Sequence, residues 1–234
     1  MTEEEFVSEL NKLNIEVKDE YLKKLSRYYT LLIEYNSKIN LTTITEKKEV
    51  YLKHFYDSLT LVKVYNFQEN ISLCDVGSGA GFPSIVLKIF FPNLNITIID
   101  SLEKRINFLN IVIKELDLNN VTAIHARAEE YAKENREKFD IVTARAVARL
   151  NILLELCVPL LKVNGYFLVM KGSLDTELEE AKKAIEILNL TIDKQEYFSL
   201  PNENSNRCII KLIKNKITNI KYPRIFSKIK KKPL

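Results

Sequence analysis

The stretch Ile71-Ser-Leu-Cys-Asp75-Val-Gly77-Ser-Gly79-Ala-Gly81-Phe82-Pro83 constrains the fold more than any other part of the chain. An apolar run leads to an acidic residue. Three glycines then alternate at a spacing of two, and a helix-like run follows from Ser84 to Phe90. This order predicts the first strand, tight turn and helix of a doubly wound, α/β nucleotide-binding sheet. A dinucleotide site uses G-x-G-x-x-G, so that a helix N-terminus receives the pyrophosphate. Here the glycines read G-x-G-x-G, and Asp75 stands just before them. A carboxylate at that place repels a diphosphate and suits a cation.

S-adenosylmethionine is an adenine nucleotide with no phosphate and with a sulfonium and an ammonium group. The pattern resembles the first motif of the class I S-adenosylmethionine-dependent methyltransferases, although a glycine-rich turn can also simply close a βα unit. Asn95 to Asp100 predicts a second strand ending in an acid. Asp100 lies 25 residues after Asp75, near the ~20-residue spacing at which a carboxylate meets ribose hydroxyls. Asp100 thus supports an adenosine of either cofactor, while Asp75 and the glycine spacing choose between them.

With 234 residues the chain suits one domain of moderate size plus an extension. No apolar run is long enough to span a bilayer, and the acidic N-terminus shows no signal-peptide core. Cys74, Cys157 and Cys208 lack CxxC spacing and sit in apolar stretches, as expected of buried free thiols in a reducing cytoplasm. His54 and His125, the only histidines, lack metal-ligand spacing, so no metal is expected.

The net charge of +4 hides an asymmetry. Arg207 to Leu234 holds ten Lys or Arg and no Asp or Glu, leaving 25 basic and 31 acidic residues before it. A basic arm on an acidic body suggests a polyanionic partner, most simply nucleic acid. A solvated lysine-rich end is the plainer alternative.

Residues 1–67 predict an N-terminal helical cap. Apolar residues recur there at three- and four-residue steps, with a polar break at Asn36 to Ile44. From 68 to 216 the pattern alternates. Strands are expected at 71–75, 96–100, 121–125, 139–143 and 166–170, and helices at 84–90, 103–116, 128–136, 150–160 and 176–188. Such alternation predicts a parallel sheet with right-handed crossovers. Runs at 195–200 and 208–214 flank a polar loop and predict a final antiparallel hairpin. Residues 217–234 form the basic tail.

Ligands of such sheets bind beyond the carboxyl ends of the strands. Those ends supply Asp75 and the turn from Gly77 through Gly79 to Phe82, then Asp100, then Ala128 and Glu129, where backbone groups can meet an adenine edge. Glu129 also suits the first turn of a helix. Arg145 and Arg149 lie four apart in an apolar stretch and need anionic partners if buried. Phosphate, cofactor carboxylate or a structural ion pair would each serve. Lys171 closes the fifth strand. No acid–base pair stands out, and neither an Asn/Asp-Pro-Pro-aromatic segment nor a nucleophilic Cys occupies the place expected of amino- or carbon-directed methyl transfer. An acceptor with its own lone pair, such as guanine N7, needs no deprotonation, so catalysis would rest on orientation.

Taken together, Asn36-Ser-Lys-Ile-Asn40-Leu-Thr, Lys53-His54-Phe-Tyr-Asp57-Ser-Leu59, the glycine segment, Asp100 to Leu109, Ala126-Arg-Ala-Glu129, Thr143-Ala-Arg-Ala146, Lys171-Gly172 and the tail from Tyr222-Pro-Arg224 to Lys232-Pro-Leu234 cover nearly the whole chain. In these the chain resembles the bacterial small-subunit ribosomal RNA guanine-N7 methyltransferases, the RsmG or glucose-inhibited division protein B family. The resemblance implies S-adenosylmethionine contacts at Gly77, Phe82, Ala128, Glu129 and Arg145, with Asp100 placed for the ribose. It implies methylation of one guanine of 16S ribosomal RNA, naked or in the 30S particle, by a cytoplasmic enzyme expected to be a monomer. Arg145 and Lys171 are the candidates for a direct catalytic role. Arg149, Lys171, Arg224, Lys228, Lys230, Lys231 and Lys232 are the candidates for RNA. The alternatives are a nicotinamide-dependent oxidoreductase and a non-enzymatic RNA-binding module on the same fold.

Overall fold

The computed structural model of the chain describes residues 1–172, 176–203 and 205–234. Asn204, inside the polar loop between the last two strands, lies outside the described residues. Among the described residues seven strands form one sheet: β1 Ser72–Val76, β2 Asn95–Asp100, β3 Val121–His125, β4 Phe139–Arg145, β5 Leu161–Lys171, β6 Leu190–Ser199 and β7 Asn206–Lys214. Their order is β3-β2-β1-β4-β5-β7-β6, with β1 to β5 parallel and β7 antiparallel to both neighbours. The strand order reverses between β1 and β4, so a crevice opens at their carboxyl ends.

The apolar strand pattern follows from burial on both faces. Leu73, Ile98, Ile141 and Leu168 enter one apolar cluster, and their successors Cys74, Ile99, Val142 and Val169 enter the other. The first cluster lies under α5 Ser84–Phe90, α6 Glu103–Glu115 and the N-terminal helices α1 Glu3–Lys12 and α2 Asp19–Ile39. The second lies under α7 Ala128–Glu134, α8 Leu150–Cys157 and α9 Glu177–Ile187. All three cysteines are buried and unbridged.

Local signals explain the N-terminal helices. Thr2 and Glu5 cap α1 reciprocally, each side chain taking the other's backbone N–H. In α2, Tyr21, Leu25, Tyr28, Leu31 and Leu32 make one buried stripe. The polar break is a helix stop: Asn40 takes a left-handed φ of 51°, and the Asn36 carboxamide oxygen accepts from Leu41 and Thr42 at 2.7 and 2.8 Å. A short α3 (Lys47–Val50) then widens into a π turn over Tyr51–Tyr56 before α4 (Asp57–Leu59). Such widening recurs at functional sites, and it carries His54.

Three boundaries differ from the sequence reading by three residues or more. Strand β5 starts at Leu161, five residues early, because Gly165 lets the chain pass close to β4: a Cβ there would stand 2.9 Å from the Asp140 and Lys162 carbonyl oxygens. Strand β6 starts at Leu190 as a half-exposed edge strand whose polar alternation masks its length. The helix expected to reach residue 160 stops at Cys157, and Pro159 sits in a 3₁₀ turn over Val158–Leu160.

The largest difference is the tail. Residues 226–231 form a short helix, α10 (Phe226–Lys231), docked on α8. Arg224 grips the fully buried Glu155 of α8 with Nε and Nη2 at 2.7 and 2.6 Å and with its backbone N–H at 2.9 Å. Arg136 donates to the Thr218 and Tyr222 carbonyls, both at 2.6 Å.

The glycine turn is packed as tightly as the sheet. At Gly81 φ is +101°, and a Cβ would come within 2.6 Å of Ile85, 2.7 Å of the Tyr28 hydroxyl and 2.9 Å of Leu109. Gly81→Ala therefore combines backbone strain with overpacking. Thermal or urea unfolding should show a loss of about 2–4 kcal/mol.

Candidate functional site

Among the described residues, clefts open at the carboxyl edge of the sheet, and Ala146, in the loop after β4, lines two of them. Ala146 adopts φ +57°, uncommon for a residue with a side chain.

The first cleft, of about 270 Å³, lies over the ends of β1, β2 and β3. Gly77, Asp100, Ala128 and Glu129 line it, with apolar walls from Ile99, Ala126, Val147 and Leu156. Asp100 is held rigidly. Its Oδ2 accepts from Gly79 N–H at 3.0 Å and from Arg105 Nη1 at 3.3 Å, and its Oδ1 accepts from Leu102 N–H at 2.9 Å. Glu129 stands in the first turn of α7, where the helix dipole favours its charge. Gly77 has φ +73°, and a Cβ there would meet Val147 at 2.6 Å, so the loop after β4 lies directly on the turn.

The turn's amides bear on ligand class. Gly77 N–H donates to Ile99 O at 2.7 Å, Gly79 N–H to Asp100, and Gly81 N–H to Ser78 O at 3.0 Å. All three glycine amides are thus used within the fold and do not cradle a pyrophosphate, unlike those of a dinucleotide turn. This disfavours the nicotinamide alternative.

Asp75 lies behind the turn and does not line the cleft. It is fully buried; Oδ2 accepts from Ser84 N–H at 3.3 Å, whereas Oδ1 is buried with no hydrogen-bond partner among the described residues. Burial raises its pKa to about 6, against the lowering effects of Ser84, Ser78 and Arg145. An ammonium or sulfonium at the turn would complement that unpartnered oxygen, so the residues present fit S-adenosylmethionine at this end as they fit a ribose at Asp100. Phe82 also faces away from the cleft. Its ring stacks on His54 at 4.5 Å and packs on Tyr28 at 5.5 Å, with the Arg145 guanidinium 5.2 Å from its centre. Tyr28 in turn donates its hydroxyl hydrogen to Ala80 O within the turn.

The second cleft, of about 300 Å³, is lined by Lys53, His54, Asp57, Arg145, Lys171 and Arg207, with Met170 and Ile44 as apolar floor. Asp57 sits between two guanidiniums, 3.3 Å from Arg145 Nη1 and 3.2 Å from Arg207 Nε. Arg145 Nη2 lies 3.4 Å from His54 Nδ1, whose other nitrogen is 2.9 Å from Thr42 Oγ1. Burial and then the neighbouring Arg145 push the His54 pKa down to about 3, so the ring is neutral, with Nδ1 also 3.2 Å from Lys53 O. Burial lowers the Arg145 pKa, while Asp57 and Asp75 oppose that shift. Lys171 donates to Ala148 O at 2.7 Å and pairs with Glu177 at 2.7 Å.

Of the residues expected from sequence, Gly77, Asp100, Ala128 and Glu129 converge on the first cleft, and Arg145 and Lys171 on the second. Gly79 supports Asp100 from within the turn. Asp75 and Phe82 lie behind it. Arg149 joins neither cleft and pairs with Glu180 at 2.7 Å. Of the partners open to the two arginines, a structural ion pair is what each makes, Arg145 with Asp57 and Arg149 with Glu180. Arg224, expected to meet phosphate, is engaged by Glu155, while Lys228, Lys230, Lys231 and Lys232 remain exposed. Sequence reasoning gave no site role to Lys53, His54, Asp57, Arg207 or Phe226. The Lys53-to-Asp57 segment stood out as a family match, and that was the only signal.

Because the folded Asp75 titrates near 6 and an unfolded one near its ordinary 3.8, the folded state binds the extra proton between those values. The Asp75 contribution to the stability of the unliganded protein should therefore fall as pH rises from about 4 to about 6 and level off above. The displacement corresponds to roughly 3 kcal/mol. In Asp75→Asn this slope should vanish from a set of melting curves across pH 4–8, and the variant should be the more stable protein at pH 7.5.

Residues 21–205 match the model of the family described as rRNA small subunit methyltransferase G, GidB. Curated relatives named ribosomal RNA small subunit methyltransferase G are similar along the whole chain. One from Oceanobacillus iheyensis is 49% identical over 237 residues, covering 100% of both chains. Another, from Bacillus cytotoxicus, is 50% identical over 227 residues, covering 96% of this chain and 95% of its own. Among solved structures, M. jannaschii TYW2 in complex with AdoMet superposes with a TM-score of 0.57 at 18% identity, over 74% of this chain and 79% of that one. A SAM-dependent methyltransferase from Aquifex aeolicus gives 0.54 at 16% identity, over 75% and 97%. These distant likenesses show the fold, that of the class I S-adenosylmethionine methyltransferases. With its full-length relatives near half identical, the chain belongs to the rRNA small subunit methyltransferase G family.

Proposed function

We propose that this chain transfers the methyl group of S-adenosylmethionine to N7 of a specific guanine in 16S ribosomal RNA, as a cytoplasmic monomer acting on the RNA or the 30S particle. The observation that carries this reading is the meeting of two unlike clefts at Ala146, one where Asp100 and Glu129 are balanced by Arg105 and Arg127 and one where Lys53, Arg145, Lys171 and Arg207 outnumber Asp57. S-adenosylmethionine, when bound, supplies a methyl group activated by its sulfonium. Asp100, already fixed by two backbone N–H groups, presents its carboxylate to the ribose hydroxyls. Ala128 and Glu129 border the adenine, and Asp75 lends negative charge behind the methionine end.

The acceptor nucleotide belongs in the second cleft. Arg145, Arg207, Lys53 and Lys171 surround it with donors for phosphate and base oxygens. The neutral His54 and the doubly paired Asp57 are poorly suited to remove a proton at physiological pH. N7 of guanine carries its own lone pair and requires no such removal, which supports this acceptor over an exocyclic amine. Arg145 and Lys171 then act by holding the nucleotide in line, so rate enhancement comes from orientation. The exposed Lys228, Lys230, Lys231 and Lys232 extend a cationic surface along the tail for flanking phosphates.

The direct test is methyl transfer from labelled S-adenosylmethionine into unmodified 16S ribosomal RNA and 30S particles, with mapping of the modified base. Label at guanine N7 is expected, and label elsewhere would refute the assignment. Replacing Lys230, Lys231 and Lys232 by Ala should lower the slope of log affinity against log salt by about 2, since each single-strand phosphate that a lysine neutralises adds near 0.7. An unchanged slope would make these lysines a solvated end.

A further inference from the structure

Phe226 differs from Tyr222 and Ile229, the buried apolar side chains that flank it in the tail. Tyr222 and Ile229 are buried in the cluster over α8, as core residues should be. Phe226 is 37% exposed and belongs to neither apolar cluster. Its side chain instead borders the first cleft, facing the space lined by Asp100, Ala128, Glu129 and Leu156.

Independent anchors put it there. Arg224, two residues earlier, is locked on the buried Glu155 by three hydrogen bonds. Ile229, three residues later, is fully buried. Glu155 is followed on α8 by Leu156, which lines the same cleft. The segment is therefore pinned on both sides of Phe226, and the aromatic ring between the pins is left at the cleft mouth, partly in water. A half-exposed aromatic held at the rim of a nucleoside-sized cleft suits a flat heteroaromatic base, because every base offers a π face.

We propose that Phe226 is a cofactor-binding residue, forming the aromatic wall against the adenine of the nucleoside in this cleft. This rests on the S-adenosylmethionine reading of the site. It makes the basic tail part of the cofactor site as well as a surface for RNA. Lys228, Lys230 and Lys231 ride on the same short helix as Phe226. A ligand that fixes the ring then also fixes the lysines, and the two binding events favour one another reciprocally.

The test is calorimetric titration of the full chain with S-adenosylhomocysteine and, separately, with 5′-methylthioadenosine, which lacks the amino-acid end. Phe226→Ala should weaken both ligands by the same factor, between about 5- and 150-fold, the range of base–aromatic stacking. Phe226→Tyr should restore affinity to within about twofold. The melting curve of Phe226→Ala should match the parent's, since the ring lies outside both clusters. Equal S-adenosylhomocysteine affinity in the parent and in Phe226→Ala would overturn the proposal, as would failure of the Tyr variant to rescue. If the parent itself binds neither ligand, the S-adenosylmethionine reading falls first and takes this inference with it.

Discussion

The contact between the Tyr28 side chain and the glycine turn holds the rest of the molecule in register. A hydroxyl from α2 reaches Ala80 O and occupies the space beside Gly81 where any Cβ would sit. Only glycine admits that approach at a φ of +101°. Through this contact the N-terminal helices, β1, α5 and α6 share one apolar cluster. Phe82 follows directly, and its ring carries the constraint onward to His54 and Arg145. The turn that shapes the first cleft thereby also positions the walls of the second.

Electrostatics divides the two clefts although they adjoin. In the first, Asp100 and Glu129 are balanced by Arg105 and Arg127, and the buried Asp75 carboxylate behind it adds an oxygen without a hydrogen-bond partner among the described residues. In the second, arginines predominate, but each is steadied by a carboxylate or a carbonyl: Arg145 by Asp57 and Lys53 O, Arg207 by Asp57 and Asn206 O. A buried guanidinium without such partners would be costly. Sharing one carboxylate keeps both cations in place while leaving positive charge to meet an anion. This division suits a cationic donor on one side and a polyanionic acceptor on the other.

Much of this is legible in the chain itself. The glycine spacing, Asp100 and the Ala128-Glu129 pair each announce a strand end by local sequence, because a βα turn is built from consecutive residues. The parallel sheet follows from the alternation of apolar runs with helical periods, and its two-sided burial explains why those runs are nearly unbroken. Asp75 illustrates the limit. Its residue type and place are evident from the chain, but its withdrawal behind the turn depends on how Ser84 and the packed glycines close over it. Likewise, Arg145 and Arg149 read as a pair, yet the β4 end and the α8 start point them to different partners, Asp57 and Glu180.

Local sequence was enough for the strand–turn–helix that opens the sheet, for the class of its ligand and for the sign of the charge on the tail, since all three depend on neighbouring residues or on composition. Folding had to bring Lys53, His54, Asp57 and Arg207 into one cleft, because they come from a π turn with the start of α4 and from a hairpin about 150 residues away, which meet only when the sheet is closed. Folding also settled the role of the tail. Arg224 reads as one more cation until Glu155 appears beneath it, and the energetic penalty of leaving that carboxylate buried and unpaired draws the chain back onto α8. Phe226 then arrives at the first cleft by attachment to that anchor, which no local pattern encodes.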